Sequence, residues 1–301
     1  MGSFLSIGEC MIEMADLGDG CYARGVAGDT LNTAWYARHV LPADWSVAYG
    51  TRIGTDTASQ GVFDFIQAAG IETRWIGRDS HRSVGLYLTT LTAGERRFSY
   101  WRGQSAARHL ANDADFLRSM MAGQDIIYFS GISLAILAPD DRKRLCDCLA
   151  SARQAGSCIA FDTNVRAQLW SNADDMRAGI ALGASVSDIV FPSHDDEMLM
   201  YPDQSIWGIL DRYRAAGART VVMKNGSQPV WCDHLGQRFS HNVMTISDVV
   251  DTTAAGDSFA AGFLASVVQG DDPKQAVQSA VALSAQVVRS HGALVVPVLD
   301  V

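Results

Sequence analysis

Short apolar runs rich in β-branched and aromatic residues alternate along this chain with longer amphipathic stretches, and this alternation constrains the fold more than any other feature. Buried parallel strands appear as short continuous apolar runs, whereas the stretches between them have the length of helices. The alternation predicts a layered α/β domain with a mostly parallel sheet. The predicted strands cover residues 4–7, 46–49, 126–129, 158–162, 189–192 and 220–224. The predicted helices cover residues 30–40, 58–69, 140–155, 173–183, 206–216, 257–269 and 274–290. Gly70, Gly156 and Gly217 follow three of these helices and are predicted to cap them.

Residues 73–104 break this rhythm. Two strand-like segments, 85–90 and 96–101, flank the sequence TAGE at residues 92–95. This pattern is typical of a β-hairpin, and no helical segment is available to cover it.

The hairpin predicts a small second sheet on an otherwise single domain. We expect one domain over residues 1–301, with a β-sheet lid formed from parts of about 10–28 and 73–107 and projecting from the edge of the main sheet. An uncovered apolar β-face is commonly buried against another subunit. We therefore expect a homo-oligomer, for which the lids are a candidate contact.

The composition argues against several classes of partner. The chain has 24 Lys and Arg against 33 Asp and Glu, a net charge of −9, and lacks the basic clusters that bind nucleic acid. It contains no apolar segment of membrane-spanning length and no signal-like start. Its six cysteines match neither a zinc site nor a redox pair, which predicts buried free thiols. We expect a cytoplasmic protein that binds neither nucleic acid nor membrane.

The run DTTAAGDSF at residues 251–259 gives the strongest indication of chemistry. It is a turn of small residues that leads directly into an apolar helix. The backbone N–H groups of residues 254–257 can converge on an anion there, helped by the positive end of the helix dipole. A carboxylate at Asp257 would lie beside a bound phosphoryl group and could accept a hydroxyl proton. An ordinary helix cap is the alternative interpretation.

The same run closely resembles the C-terminal signature of the ribokinase-like carbohydrate kinases. The resemblance extends over nearly the whole chain and includes IGE at residues 7–9 and GDTLNTA at 28–34. Within the family, the chain is similar to the kinases that act on 2-keto-3-deoxygluconate. The segments that carry this narrower match are GDTLN at 28–32, GERRFSYWR at 94–102, SGISLAIL at 130–137 and DTNVRAQLW at 162–170.

The resemblance implies a fold and an activity. The implied fold is a ribokinase-like three-layer α/β/α domain with a small β-sheet lid. The implied activity is ATP-dependent phosphorylation of 2-dehydro-3-deoxy-D-gluconate at its 6-hydroxyl, which would serve uronate and sugar-acid catabolism. By the same resemblance, Asp257 is the catalytic base, and Ala254, Ala255 and Gly256 form the anion hole.

The resemblance also implies the substrate contacts. Gly28, Asp29 and Asn32 match the family's sugar-hydroxyl contacts, although a role for Asp29 as a helix cap remains open. The family's paired glycines are here Ala27 and Gly28.

A sugar acid carries a carboxylate, which an arginine can hold bidentately, and the resemblance implies Arg102 and Arg166 for this contact. Tyr87 and Tyr100, on the two hairpin strands, resemble the family's substrate-contacting aromatics. The alternatives are surface salt bridges for the arginines and packing across the hairpin for the tyrosines.

On the nucleotide side, the segment VVMKNG at residues 221–226 resembles the family's Lys-x-Gly-x-x-Gly loop near ATP, with Pro229 in place of the second glycine. An ordinary hairpin turn is the alternative. The implied ATP contacts are Ser193, Lys224, Gly226, Ser227, Ala255 and Gly256.

A Mg²⁺ ion is also implied, because kinases use it to bridge phosphate oxygens. Ser193 and Asp196 occupy the key positions of the family's Asn-x-x-Glu element, so Asp196 is the candidate ligand, through water. An acidic helix start is the alternative for these residues. A requirement for a monovalent cation is left open.

Two other functions remain open on the sequence alone. The first is a kinase of the same family that acts on another sugar, sugar acid or nucleoside, because fold and catalytic turn do not fix the acceptor. The second is a sensor that binds a sugar acid without turnover, against which the presence of both Gly256 and Asp257 argues.

Overall fold

The computed structural model describes residues 2–92 and 95–298, whose strands form two separate sheets. The strands are β1 Ser3–Ile7, β2 Met11–Gly18, β3 Cys21–Ala27, β4 Ser46–Gly54, β5 Ile76–Asp79, β6 Gly85–Thr92, β7 Glu95–Trp101, β8 Ile126–Ser130, β9 Cys158–Asp162, β10 Ile189–Phe191, β11 Thr220–Met223, β12 Val230–His234 and β13 Gln237–His241. The α-helices are α1 Asp29–Val40, α2 Thr57–Ala68, α3 Ala114–Met121, α4 Gly131–Ala135, α5 Pro139–Gln154, α6 Ala173–Ser185, α7 His194–Met200, α8 Ile206–Ala216, α9 Ala255–Val268 and α10 Pro273–Val287.

The large sheet is mostly parallel, as the sequence predicted. Its strand order is β13-β12-β11-β10-β9-β8-β1-β4-β5. All neighbours from β11 to β5 pair in parallel, and β12 and β13 add an antiparallel edge. Each of the six predicted strands is present. Strands β5, β12 and β13 were not predicted from the sequence, because they are short or carry polar residues that dilute the apolar pattern.

Helices cover both faces of the large sheet, which confirms the three-layer architecture. Apolar side chains of α1, α2, α9 and α10 pack into one core cluster, for example Leu31, Ile66 and Phe263. Side chains of α3, α5, α6 and α8 pack into a second cluster. Gly70, Gly156 and Gly217 follow α2, α5 and α8 with positive φ angles of 72°, 110° and 114°, the left-handed conformation expected of glycine caps.

The small sheet has the order β3-β2-β6-β7, in which β6 and β7 form the predicted hairpin. Residues 93 and 94 of its turn lie outside the described residues. The second predicted lid segment, about 73–107, is divided between the two sheets. Strand β5 pairs with β4 in the large sheet, and the small sheet takes up this segment only from Gly85 onward. Residues 8–10 connect β1 of the large sheet to β2 of the small sheet, which places the two sheets side by side at the carboxyl end of β1.

The cysteines depart from the sequence prediction at two positions, Cys158 and Cys21. All six are free, and Cys10, Cys146, Cys148 and Cys232 are buried as expected. Cys158 is half-buried, and Cys21 is exposed because it begins the edge strand β3. Over the described ranges, no helix combines the length and the apolar character needed to cross a bilayer.

Gly131, the first residue of α4, allows two backbone segments to approach closely. A Cβ atom there would lie 2.0 Å from the carbonyl oxygen of Thr163 and 2.9 Å from Cδ1 of Ile180. We expect Gly131→Ala to destabilise the fold by about 2 kcal/mol, because a backbone carbonyl cannot rotate away. The thermal unfolding midpoint should fall by about 4 °C or more, measured by calorimetry.

The control for this prediction is Gly103→Ala. A Cβ atom at Gly103 meets nothing within 4 Å, so the same change of residue should leave the midpoint unchanged. Equal midpoints for the two variants would contradict the close approach at Gly131.

Candidate active site

A cleft of about 1210 Å³ lies between the small sheet, the carboxyl ends of the central strands and the start of α9. Pockets for one drug-sized ligand measure about 300–1,000 Å³, so this cleft has room for two substrates. It is lined by all the site residues that the sequence analysis selected. These are Gly28, Asp29, Asn32, Tyr87, Tyr100, Arg102, Arg166, Ser193, Asp196, Lys224, Gly226, Ser227, Ala254, Ala255, Gly256 and Asp257.

Asp257 is the third residue of α9 and its carboxylate does not cap the helix. The N-cap residue is Ala254, in the left-handed conformation with φ 61°, and it makes no side-chain cap. The Asp257 carboxylate instead accepts a hydrogen bond from Nδ2 of Asn32 on α1, at 2.8 Å. The geometry therefore disfavours the interpretation of Asp257 as an ordinary helix cap.

Burial raises the pKa of Asp257 from 3.8 to about 8, and the negative charge of Asp29 contributes in the same direction. The hydrogen bond from Asn32 and the charge of Lys224 act against this increase. A carboxyl group with a pKa near the working pH is suited to accept and return a proton.

The turn before α9 is braced by Asp251, whose two carboxylate oxygens accept the amides of Thr253 at 2.9 Å and Gly292 at 2.8 Å. The amide of Ala255 donates to the carbonyl of Thr252 at 3.2 Å. The predicted anion hole therefore has fewer available amides than expected, because the Ala255 amide already donates a hydrogen bond within the turn. Helix geometry leaves the other first-turn amides, those of Gly256 and Asp257, without acceptors inside the helix.

Lys224 places a positive charge beside this helix start. Its Nζ atom donates to Oδ2 of Asp162 at 2.5 Å, and a Cβ atom at Gly256 would lie 3.0 Å from the same Nζ. The absence of a side chain at Gly256 thus lets an ammonium group and the first-turn amides face one another. Together they supply hydrogen-bond donors suited to phosphate oxygens.

Gly28 and Asp29 form the opposite wall at the start of α1. A Cβ atom at Gly28 would lie 2.3 Å from the carbonyl oxygen of Glu9, so the glycine is required for this approach. The carboxylate of Asp29 accepts a hydrogen bond from Nδ2 of Asn164 at 2.7 Å, and no side chain caps α1. Asp29 is thus oriented into the cleft and is available to polar ligand groups.

The two selected arginines have different surroundings. Arg166 is exposed, donates to the carbonyl of Val165 at 2.9 Å and forms no ion pair with any other described residue. Arg102 is only 8% exposed and forms a buried ion pair with Glu9. Neither arginine forms the surface salt bridge that was the alternative interpretation. Of the two, only Arg102 forms an ion pair with a described carboxylate.

Tyr87 and Tyr100 lie directly opposite each other on β6 and β7, with ring centroids 5.9 Å apart. They pack across the hairpin and also line the cleft, so the two interpretations of these residues are compatible. Phe98 lies 6.2 Å from both rings and extends the same aromatic wall, although the sequence analysis did not select it.

Asp196 lies at the start of α7, where its Oδ2 atom accepts the amide of Val165 at 3.0 Å. Burial raises the pKa of its carboxyl group, and the positive charges of Arg166 and Lys224 oppose that increase. The neighbouring Glu197 faces the core, where it accepts from Tyr213 at 2.5 Å. No group of three or more His, Cys, Asp or Glu residues arranged for a metal ion occurs in the part of the chain that the structure describes.

The far end of the cleft is largely apolar. Gly226, with φ 55°, and Ser227 lie in the turn between β11 and β12, so the Lys-Asn-Gly segment is a hairpin turn that also lines the cleft. Apolar side chains that the sequence analysis missed complete this end. They are Val230, Val243, Ile246, Val281 and Val288. Val281 on α10 and Val288 at its end follow the spacing of apolar residues on any core-facing helix, so the sequence did not distinguish them from core residues.

Asp162 and Asn164 were also missed. Both lie at the carboxyl end of β9, within the segment from which only Arg166 was selected. Their position after a central strand was a usable signal, because ligands bind at this edge of open α/β sheets.

Comparisons with known proteins agree with this geometry. A family model described as pfkB family carbohydrate kinase matches residues 1–298. The chain is 37% identical over 297 residues to the 2-dehydro-3-deoxygluconokinase of Dickeya dadantii, covering 96% of this chain and 95% of that protein. It is 35% identical over 297 residues to the protein of the same name from Escherichia coli K12, covering 96% of both. The crystal structure of a fructokinase with bound ATP from Xylella fastidiosa superposes with a TM-score of 0.85 at 22% identity, covering 97% of this chain and 94% of that one.

Proposed function

Because the chain belongs to the pfkB family of carbohydrate kinases, we propose that it transfers the γ-phosphoryl group of ATP to the 6-hydroxyl of 2-dehydro-3-deoxy-D-gluconate. The observation that carries the proposal is the cleft, in which the buried Asp257 carboxylate lies at the start of α9. Arg166, which has no ion pair with another described residue, lines the same cleft in the loop after β9. The relatives named 2-dehydro-3-deoxygluconokinase match nearly the full length of both chains, which supports this acceptor.

Asp257 acts as the general base. Its carboxylate, held by Asn32, accepts the proton of the acceptor hydroxyl as the new O–P bond forms and the bond to ADP breaks. The amides of Gly256 and Asp257, the dipole of α9 and the Lys224 ammonium stabilise the charge on the transferring phosphoryl group. Ala254 and Ala255 shape the turn that presents these amides.

The remaining polar groups recognise the acceptor. Arg166 and Arg102 bind its carboxylate or brace the incoming phosphate, because a guanidinium can form two parallel hydrogen bonds to such groups. Asp29, oriented by Asn164, and the backbone at Gly28 bind its hydroxyls. Tyr87 and Tyr100 contact its carbon skeleton.

The apolar end of the cleft accommodates the adenine of ATP, with Ser193, Gly226 and Ser227 near the nucleotide. A Mg²⁺ ion fits this site if phosphate oxygens and water supply most of its ligands, since Asp196 commits one oxygen to Val165 and no larger acidic cluster is described. Asp196 would hold the ion through water. The ion, when bound, neutralises charge on the phosphate oxygens.

The small sheet acts as a lid over the acceptor. Closure would exclude water and so protect ATP from hydrolysis. Large apolar side chains remain exposed on this sheet, among them Leu17 at 68% and Trp101 at 60%. This exposure supports a homo-oligomer in which a second copy covers these side chains, which light scattering of the pure protein would test.

A coupled assay of ADP release tests the proposed function. The purified protein with MgATP is given 2-keto-3-deoxygluconate, 2-keto-3-deoxygalactonate, gluconate, fructose, ribose and adenosine in turn. We expect strong selectivity for a 2-keto-3-deoxy acid. Turnover of a neutral sugar instead would retain the kinase chemistry and reject the sugar acid, whereas no turnover with any of them would favour a sensor.

The pKa of Asp257 predicts the pH dependence of this reaction. The base must be deprotonated, so kcat/KM should rise as the pH increases through about 8, the pKa of the free protein. Asp29→Asn removes the charge that helps to raise this pKa, so its profile should rise at lower pH than the wild-type profile. Steady-state rates across pH 6–9 measure both.

The control is Asp140→Asn, which removes an exposed first-turn carboxylate from α5. Its pH profile should match that of the wild type. A profile that is flat across this range in the wild type, or that does not move in Asp29→Asn, would contradict the prediction.

A further inference from the structure

Glu9, in the IGE segment that follows β1, holds Arg102 inside the cleft wall. Both Nε of Arg102, at 2.8 Å, and its Nη2 donate to the same oxygen, Oε2 of Glu9. Glu9 is 1% exposed and Arg102 is 8% exposed, so the pair is shielded from solvent. Arg102 lines the cleft although Glu9 itself does not.

This ion pair lies where the two sheets meet. Glu9 follows β1 of the large sheet, whereas Arg102 follows β7 of the small sheet, 93 residues later. Gly85, the first residue of β6, packs against the pair, since a Cβ atom there would lie 3.0 Å from Oε1 of Glu9 and 3.4 Å from Cβ of Arg102. The glycine therefore leaves room for the ion pair at this junction.

Stability alone does not account for the pair. A buried ion pair contributes little net stability, because the charges lose their hydration. The second carboxylate oxygen of Glu9, Oε1, is buried and has no hydrogen-bond partner among the described residues. A buried oxygen without a hydrogen-bond partner is unfavourable. The orientation of this carboxylate therefore places two Arg102 donors on Oε2 and leaves Oε1 without a hydrogen bond from any described residue.

We infer that Glu9 is a positioning residue for acceptor binding: it fixes the Arg102 guanidinium so that the remaining Nη1 donors face the carboxylate of the sugar acid. This inference rests on the proposed function. Glu9 also compensates the charge of Arg102, so Arg102 contributes directed hydrogen bonds, while Arg166, which has no ion pair with another described residue, contributes net charge. The two arginines thus divide the recognition of the acid between geometry and charge.

Glu9→Gln tests the inference, because the amide keeps the shape of the side chain and removes its charge. We expect the KM for 2-keto-3-deoxygluconate to rise about tenfold or more, since a misplaced Arg102 binds the carboxylate poorly. The KM for ATP and kcat should remain within about twofold, because the lost contact is remote from the reacting hydroxyl and is made equally in the ground and transition states.

A matched control breaks a comparable pair away from the cleft. Arg142 donates to Asp175 at 2.7 Å, and its side chain is 9% exposed, like that of Arg102. Asp175→Asn should lower the thermal midpoint without changing either KM. This outcome would separate a loss of stability from the loss of a positioned arginine.

A double-mutant cycle shows whether Glu9 acts through Arg102. Arg102→Ala should raise the KM for the acid by itself, and adding Glu9→Gln to that variant should raise it no further. If Glu9→Gln does not fold, Glu9→Asp retains the charge, retracts the carboxylate by one methylene and should give the same acid-specific rise.

The possible outcomes separate this inference from the proposed function. A folded Glu9 variant whose KM for the acid stays within twofold of the wild type, or whose KM for ATP rises equally, overturns the role of Glu9 and leaves the kinase assignment intact. Independent, additive effects of Glu9→Gln and Arg102→Ala overturn it as well. A wild-type protein that does not turn over the acid overturns the proposed function, and the positioning role with it.

Discussion

Replacing Asp257 by Asn is expected to lower kcat about 10²–10⁴-fold, the usual contribution of a general base. The amide has the shape of the carboxyl group and can still pair with Asn32, but it cannot accept the hydroxyl proton. The KM for ATP should change little, because the first-turn amides and Lys224 remain in place. Steady-state ADP release with the preferred acceptor measures the effect. Undiminished turnover would remove Asp257 from the mechanism.

The stability of the same variant provides the control for misfolding. The pKa of Asp257 is about 8 in the folded protein against 3.8 for the unperturbed group, so the folded state retains a proton that the unfolded state releases between these values. The free energy of unfolding of the wild type therefore falls as the pH rises from about 4 to 8. Asn does not titrate, so the thermal midpoint of Asp257→Asn relative to the wild type should increase over this range. A difference in midpoint between the variant and the wild type that does not increase from pH 4 to pH 8 would contradict the raised pKa of this carboxyl group.

Replacing Arg166 by Ala is expected to lower kcat/KM for the sugar acid about 10²-fold or more, since losing one partner of a close charge pair costs about 2–5 kcal/mol. Arg166 has no ion pair with any other described residue and interacts with the Asp196 carboxylate only at longer range, so its guanidinium is available to the acid. Arg166→Lys should restore only part of the activity, because an ammonium group cannot form the bidentate contact. Saturation kinetics with the acid measure both variants.

The matched control for Arg166→Ala is Arg118→Ala, which removes an exposed arginine of α3 that pairs with Asp115 outside the cleft. Its kinetics should equal those of the wild type. If Arg166→Ala retained full activity on the acid, carboxylate recognition would have to be reassigned to Arg102 or to the backbone.

The family and the fold were accessible from the sequence. The resemblance to the ribokinase-like carbohydrate kinases is confirmed by the family match over residues 1–298, and the predicted mostly parallel sheet is present. The six central strands were found because burial on both faces requires continuous apolar runs. Strands β5 and β13 escaped because one side of an edge strand meets solvent and tolerates polar residues. Strand β12 lies between β11 and β13 and escaped because Asp233 and His234 interrupt its short apolar run.

Much of the candidate site was also accessible, because its residues follow strands or begin helices. Asp257, Arg166 and Gly28 were selected at such positions, and the structure brings them to one cleft. Their roles stay predictions until the variants are measured. The smaller number of amides available in the anion hole was not predictable, since only the folded turn shows that the Ala255 amide donates to the carbonyl of Thr252.

The sequence by itself determined which segments become buried strands and which small residues can border a cleft, because these properties depend on local composition and periodicity. Tertiary structure alone decided the partners of the charged groups. Glu9 meets Arg102 across 93 residues, Lys224 meets Asp162 across 62, and Asn32 meets Asp257 across 225. The sequence pattern around a charged residue does not indicate which distant residue it will contact. The pKa of an ionisable group depends on burial and on neighbours that are present only once the chain has folded.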